Sequence, residues 1–122
     1  MPLTAEEQAE LSDVDDIDTL SQMLSAVSPD FRRAVMDKGL GLVKTYFHAR
    51  RLFFGAPHGT EEEDRAFAKV LELIQTLDEF EDICEMFEDN DMILLHRDKL
   101  TLLFKKADEL GIPKIWKVAE KI

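Results

Sequence analysis

Residues 60–91, TEEEDRAFAKVLELIQTLDEFEDICEMFEDND, decide how the rest of this chain is read. They hold thirteen Asp or Glu against two basic residues. Thr60 and Glu63 stand at capping-box spacing, at which side chains and backbone amides satisfy each other at a helix start. Glu61, Glu62, Glu63 and Asp64 then occupy the first turn, where the helix dipole favours negative charge. Phe67, Val70, Ile74, Leu77, Cys84 and Phe87 follow at spacings of mostly three or four, joined by Leu73 and Phe80. That is the apolar stripe of a bundle helix.

The opposite side carries Glu72, Glu79, Asp82, Glu85 and Asp89, and it breaks local rules. Like charges three or four apart on a helix cost roughly 0.2–0.5 kcal/mol per pair, and acids in a last turn oppose the dipole. Either basic residues elsewhere in the fold or a partner must offset this. These five acids are the candidate interaction residues. A second capping box, Thr76 with Glu79, leaves open a break that would divide the segment into two shorter helices.

Working outward, Ser28-Pro29 reads as a cap followed by proline at the first helical position. Phe31, Val35, Leu42, Tyr46 and Phe53 mark a buried stripe, with Gly55 as its stop. Gly39 and Gly41 interrupt it at roughly 1 kcal/mol each relative to Ala, so a kink or break there is expected, with close approach of a neighbouring helix as the alternative. The run YFHARRLFF interleaves aromatic and basic residues, but helical spacing assigns the aromatics mostly to the core side. Upstream, Leu11, Val14, Ile17, Leu20, Leu24 and Val27 form another stripe. Thr4 and Glu7 again match a capping box, yet the Asp-rich DVDDID favours a helix that begins at Asp15 or Asp16 and leaves residues 1–12 loosely held.

Downstream, MILLHRDKLTLLFKKADELG reads as a fourth helix ended by Gly111, with Leu95, Leu102 or Leu103, Ala107 and Leu110 inward. Asp98 could cap a later start. From Pro113 a short basic amphipathic helix carrying Ile115, Trp116, Ala119 and Ile122 would close the core.

Segment charges alternate: −7 for residues 1–28, +4 for 29–59, −11 for 60–91 and +3 for 92–122, with a chain total of −11. In an antiparallel up-down-up-down four-helix bundle all adjacent helices would then have opposite sign. The expected fold is therefore all-α, a single domain over residues 1–122 made of that bundle and a short additional C-terminal helix. Thirteen Lys or Arg in the second and fourth segments face twenty acids in the first and third, so negative charge is left over for solvent or a partner.

Composition narrows the function further. A net charge of −11 repels phosphate backbones and anionic membranes and favours basic protein surfaces. The only cysteine, Cys84, lies on the apolar stripe, which excludes an intrachain disulfide and fits a reducing, cytoplasmic setting. MPLTAEEQAE lacks the basic and apolar regions of a signal peptide, and no apolar run is long enough to span a bilayer. Neither DVDDIDTLSQML nor EDNDMILLHRDK has the glycine and closing Glu of a calcium loop. His58 and Glu62 invite a metal reading but lack a third ligand nearby in sequence, and no cofactor or metal is assigned. Nucleophile elbows, phosphate-binding loops and dinucleotide fingerprints are missing, so an enzyme is not expected. The expected role is a non-catalytic interaction protein that offers its acidic helical face to a basic partner, as an inhibitor, an immunity protein, a DNA mimic or an export chaperone would. The alternatives are a subunit that self-associates through acidic and basic helices, and an enzyme whose site is assembled from distant residues.

Overall fold

A computed structural model describes residues 3–25, 28–87 and 90–113. Those residues are all-helical, with eight helices and no strand among them. The helices are α1 (Ala5–Ser12), α2 (Ile17–Met23), α3 (Pro29–Leu42), α4 (Tyr46–Gly55), α5 (Glu61–Leu73), α6 (Leu77–Met86), α7 (Asn90–Leu95) and α8 (Arg97–Leu110). Each of the four periodic segments is thus a pair of helices rather than one continuous helix. The C-terminal helix expected beyond Pro113 lies outside the described residues. Among the described residues no helix is long and apolar enough to cross a membrane.

Local chemistry sets the breaks. Thr4 and Glu7 form a complete capping box, so α1 exists in its own right, although it buries no side chain. Asp16 caps α2 by accepting from the Thr19 amide at 2.8 Å. Ser28 caps α3 through the Phe31 amide at 3.3 Å, with Pro29 in the first turn. α3 runs straight through Gly39 and Gly41 and stops only at Leu42, where the expected glycine break does not occur. A fresh start at Thr45 divides the segment instead: its hydroxyl accepts from the His48 amide at 3.3 Å, while the His48 ring Nδ1 accepts from the Lys44 amide at 3.1 Å. Thr76 and Glu79 complete a second capping box that opens α6. At the far end Gly111, with φ 72°, terminates α8 in the left-handed conformation, and the Ile112 amide returns to the Ala107 carbonyl at 2.9 Å.

The chain divides into two compact units, residues 1–73 and 74–122. In the first, α4 is the central helix and packs chiefly on α5 and α2. Leu20, Leu24, Val35, Met36, Ala49, Leu52, Phe53, Phe67 and Val70 are buried, and the Phe53 and Phe67 rings lie 5.2 Å apart. Gly39 lets α3 approach α4 closely: a Cβ there would stand 2.9 Å from a Leu52 methyl. Gly55 does the same against α2, where a Cβ would meet the Ser21 carbonyl oxygen at 2.6 Å. Three ion pairs join a base of the second segment to an acid of the first or third, Arg51 to Asp18 at 3.2 Å, Lys38 to Asp15 at 3.9 Å and Arg32 to Glu62 at 3.5 Å, whereas Arg65 to Asp37 at 2.6 Å runs the other way.

The second unit buries Ile74, Phe80, Ile83, Cys84, Phe87, Ile93, Leu100, Leu103 and Ala107, with the Phe87 and His96 rings 5.2 Å apart. Two expectations need correction here. Leu95 and Leu110, expected inward, are exposed, and so is Leu102, leaving Leu103 as the buried member of that pair. Leu77 is half-buried at the start of α6, while Phe80 three residues on is fully buried.

Candidate functional site

The five candidate acids do not form one ridge on one helix. Glu72 belongs to α5 in the first unit; Glu79, Asp82 and Glu85 belong to α6 in the second. Asp89 lies outside the described residues. The break is caused by residues 74–76: the Thr76 hydroxyl holds the Glu79 amide at 3.2 Å and starts α6 afresh.

The four described acids differ in what they do. Glu72 is exposed, with Lys69 of the preceding turn at 3.2 Å. Glu79 is half-buried, and its carboxylate accepts from the Gln75 and Thr76 amides at 2.8 and 3.3 Å. It is a folding element, because those amides would otherwise have no partner at a helix start. Asp82 is half-buried and Glu85 exposed, the latter in the last turn of α6, where no basic residue offsets the dipole. Asp78, outside the candidate set, is exposed one turn before Asp82, and Met86 is exposed one turn after it. The site that remains on one element is therefore the outer side of α6: Asp78, Asp82 and Glu85 with Met86 beside them.

Helix α6 contains five acids and no basic residue. The acids of the first unit stand in a different setting. Glu62 and Glu63, read from the sequence as first-turn acids, are only 5% and 3% exposed. Glu62 meets Arg32, and Glu63 accepts from the Gly59 amide at 3.3 Å and stands 3.3 Å from the His58 ring. The metal reading had paired His58 with Glu62; its neighbour in the structure is Glu63. The signal for Glu63 was its capping-box position, whereas the burial of Glu62 has no local signature.

The Asp-rich stretch before α2 is likewise engaged. Asp15, Asp16 and Asp18 line an open depression with Ile17, Leu42, Lys44 and His48. The Thr19 amide, seconded by the Thr19 hydroxyl, holds the Asp16 carboxyl below the usual carboxylate range. Asp18 meets Arg51, Asp15 meets Lys38, and the Lys38 ammonium also donates to the Leu11 carbonyl at 2.6 Å. His48 serves as the backbone acceptor already described. These side chains hold turns and helix starts, so their arrangement is explained by folding.

No protein-family model, no curated protein and no solved structure matches the chain.

Proposed function

We propose that this is a non-catalytic interaction protein whose acidic helical face docks on a basic surface of another protein, in the manner of an inhibitor, an immunity protein, a DNA mimic or an export chaperone. The observation that carries the reading is α6. Five acids and no base share ten residues; Asp78 and Glu85 are exposed, and an apolar Met86 is exposed beside them. No basic residue shares the last turn of α6 with Glu85, which opposes the dipole there, and local disagreement of that kind is characteristic of functional surfaces. Charge on such a face accelerates encounter, and a flexible, polarisable methionine adapts to varied apolar partners.

A labelled amphipathic Leu/Lys peptide is the probe. Binding by fluorescence anisotropy should weaken as salt rises, and Asp82→Asn with Glu85→Gln should weaken it further while flattening the salt dependence. Glu79 is left in place so that the cap survives. Failure to bind at low salt, or binding indifferent to these substitutions, refutes the reading.

Two finer points belong to the same proposal. The alternation of segment charge supports an antiparallel order of the four segments, which spin-label distances between segments would test. Cys84 is buried and is the single cysteine of the sequence, which supports a reducing, cytoplasmic location; reactivity toward a thiol reagent only after unfolding would agree with it.

A further inference from the structure

Between α1, α2 and α3 the first unit opens to solvent in a groove of about 490 Å³. Phe31, only 5% exposed, forms its floor, and half-buried Met23 stands beside it. Glu7 and Glu10, one turn apart on α1, line one side, and Gln22 of α2 lines another. No base lines this groove, and residues 1–28, which supply most of its lining, contain seven acids and no Lys or Arg. The bases of α3 are held elsewhere: Arg32 by Glu62, Arg33 by Asp30 at 3.9 Å, and Lys38 by Asp15 and the Leu11 carbonyl. Three acceptors are left over in the groove. Glu7 Oε1 accepts from the Thr4 amide at 3.0 Å, but among the described residues no donor reaches its Oε2, the Glu10 carboxylate or the Gln22 side-chain oxygen.

We infer that this groove is a docking site for an arginine side chain presented by a peptide segment of a partner protein. It lies in the first unit and is independent of α6, which belongs to the second. Charge complementarity names the class of occupant: two carboxylates with no base among them select a cation. The apolar floor and the spread of the acceptors then favour guanidinium over ammonium. A guanidinium offers five N–H donors in a planar fork and no acceptor, so it can serve Glu7, Glu10 and Gln22 together, whereas an ammonium is a compact point charge with three. Arginine's aliphatic stem and flat head also pack well on an aromatic ring and a thioether, here Phe31 and Met23. The groove is open and larger than one side chain, so the backbone that carries the arginine can enter with it. Lys38 holds α1 at its C-terminal end, and an arginine that joins Glu7 and Glu10 to Gln22 would tie α1 to α2 as well.

An NMR titration of the nitrogen-labelled full chain with the peptide acetyl-Ala-Arg-Ala-amide tests this. Saturable shifts are expected at the amides of Glu7, Glu10, Gln22, Met23 and Phe31, together with slower hydrogen exchange throughout α1. The same peptide with lysine should bind several-fold more weakly, and with neutral citrulline at least tenfold more weakly. Agmatine, a guanidinium without the peptide, should also bind more weakly. Glu7→Gln with Glu10→Gln should weaken arginine binding by about tenfold, while glutamine at position 7 keeps the capping box. Should that variant lose α1, Glu10→Gln alone, at an exposed position outside the cap, is the second probe and should weaken binding about threefold. Failure to saturate at millimolar peptide overturns the inference, as does citrulline binding as well as arginine. Shifts spread equally over the acids of α6 would show mere attraction to a chain of charge −11 and overturn it too. Agmatine binding as tightly as the peptide would overturn the peptide as occupant.

Discussion

Three glycines in α3 and α4 should answer differently to the same substitution. Gly55→Ala puts a Cβ 2.6 Å from the Ser21 carbonyl oxygen and 2.9 Å from the Ser21 Cβ, far inside an ordinary contact of about 3.5–4.0 Å. Ser21 is buried and its hydroxyl is tied to the Asp18 carbonyl at 2.8 Å, so α2 cannot simply rotate the obstacle aside. Overpacking of this kind costs about 1–3 kcal/mol. The helix-propensity gain of Ala over Gly reaches at most about 1 kcal/mol and is smaller at the last position of a helix. The net is a loss of about 1–2 kcal/mol, or a fall of the urea midpoint on the order of 0.5–1 M. Gly41→Ala meets nothing within 4 Å and has no positive φ, so only the propensity gain remains, and stability should rise by about 0.5–1 kcal/mol. Gly39→Ala falls between, because its close neighbour is the end of the Leu52 side chain, which can adjust. Urea unfolding of the three variants with the slope unchanged is the assay. A Gly55→Ala protein as stable as Gly41→Ala would refute the close approach of α2 to α4.

Glu79→Ala should cost about 0.5–2 kcal/mol through the lost cap, whereas Glu85→Gln should change stability by less than about 0.5 kcal/mol. Equal losses in thermal melts would mean that Glu79 is not a cap in solution. The Asp16 carboxyl should titrate below its ordinary 3.8 in a carbon-detected NMR titration. A depressed carboxyl contributes its stability above the unfolded value and loses it as pH falls through the folded value. The Thr19 amide bond should therefore persist at pH 5 and weaken only below about 3.8, and Asp16→Asn should remove that step. Phe80→Ala should cost about 3–5 kcal/mol as a large-to-small change at a fully buried site. Leu77→Ala, at a half-buried helix start, should cost less than about 2 kcal/mol, and the reverse order in chemical denaturation would invert the assigned face of α6.

All-helical structure was legible because every apolar stripe repeats at three or four residues, and the starts at Asp16, Ser28 and Thr76 coincide with capping side chains read from the sequence, while Thr45 caps α4 inside a run read as one interrupted helix and Thr4 opens a helix where loosely held residues were expected. Less legible was that these caps act inside stripes that continue past them. Val70, Ile74, Leu77 and Phe80 keep spacings of three or four across the Thr76 break, so periodicity alone reads α5 and α6 as one helix. The inward side of α8 was misread because MILLHRDKLTLLF offers two overlapping stripes. One runs through Leu95, Leu102 and Leu110; the other, through Leu100, Leu103 and Ala107, is the buried one. Of the candidate acids, Glu72 and Glu85 are exposed and Asp82 is half-buried, while Glu79 serves the backbone. Burial of Glu62 depends on Arg32, thirty residues upstream, and no local pattern announces such a pair.

Helix α1 has no fully buried side chain: Glu7 and Leu11 are half-buried, and the Lys38 ammonium donates to the Leu11 carbonyl. A helix of eight residues is far below the length of about 12–15 at which isolated helices persist in water, so its amides must open almost independently of the rest. In deuterated buffer residues 5–12 should exchange orders of magnitude faster than the amides of α4, whose opening requires the core of the first unit to come apart. An arm that exchanges in this way, melting and re-forming ahead of the core, would be a natural place to attach a dye or a tether.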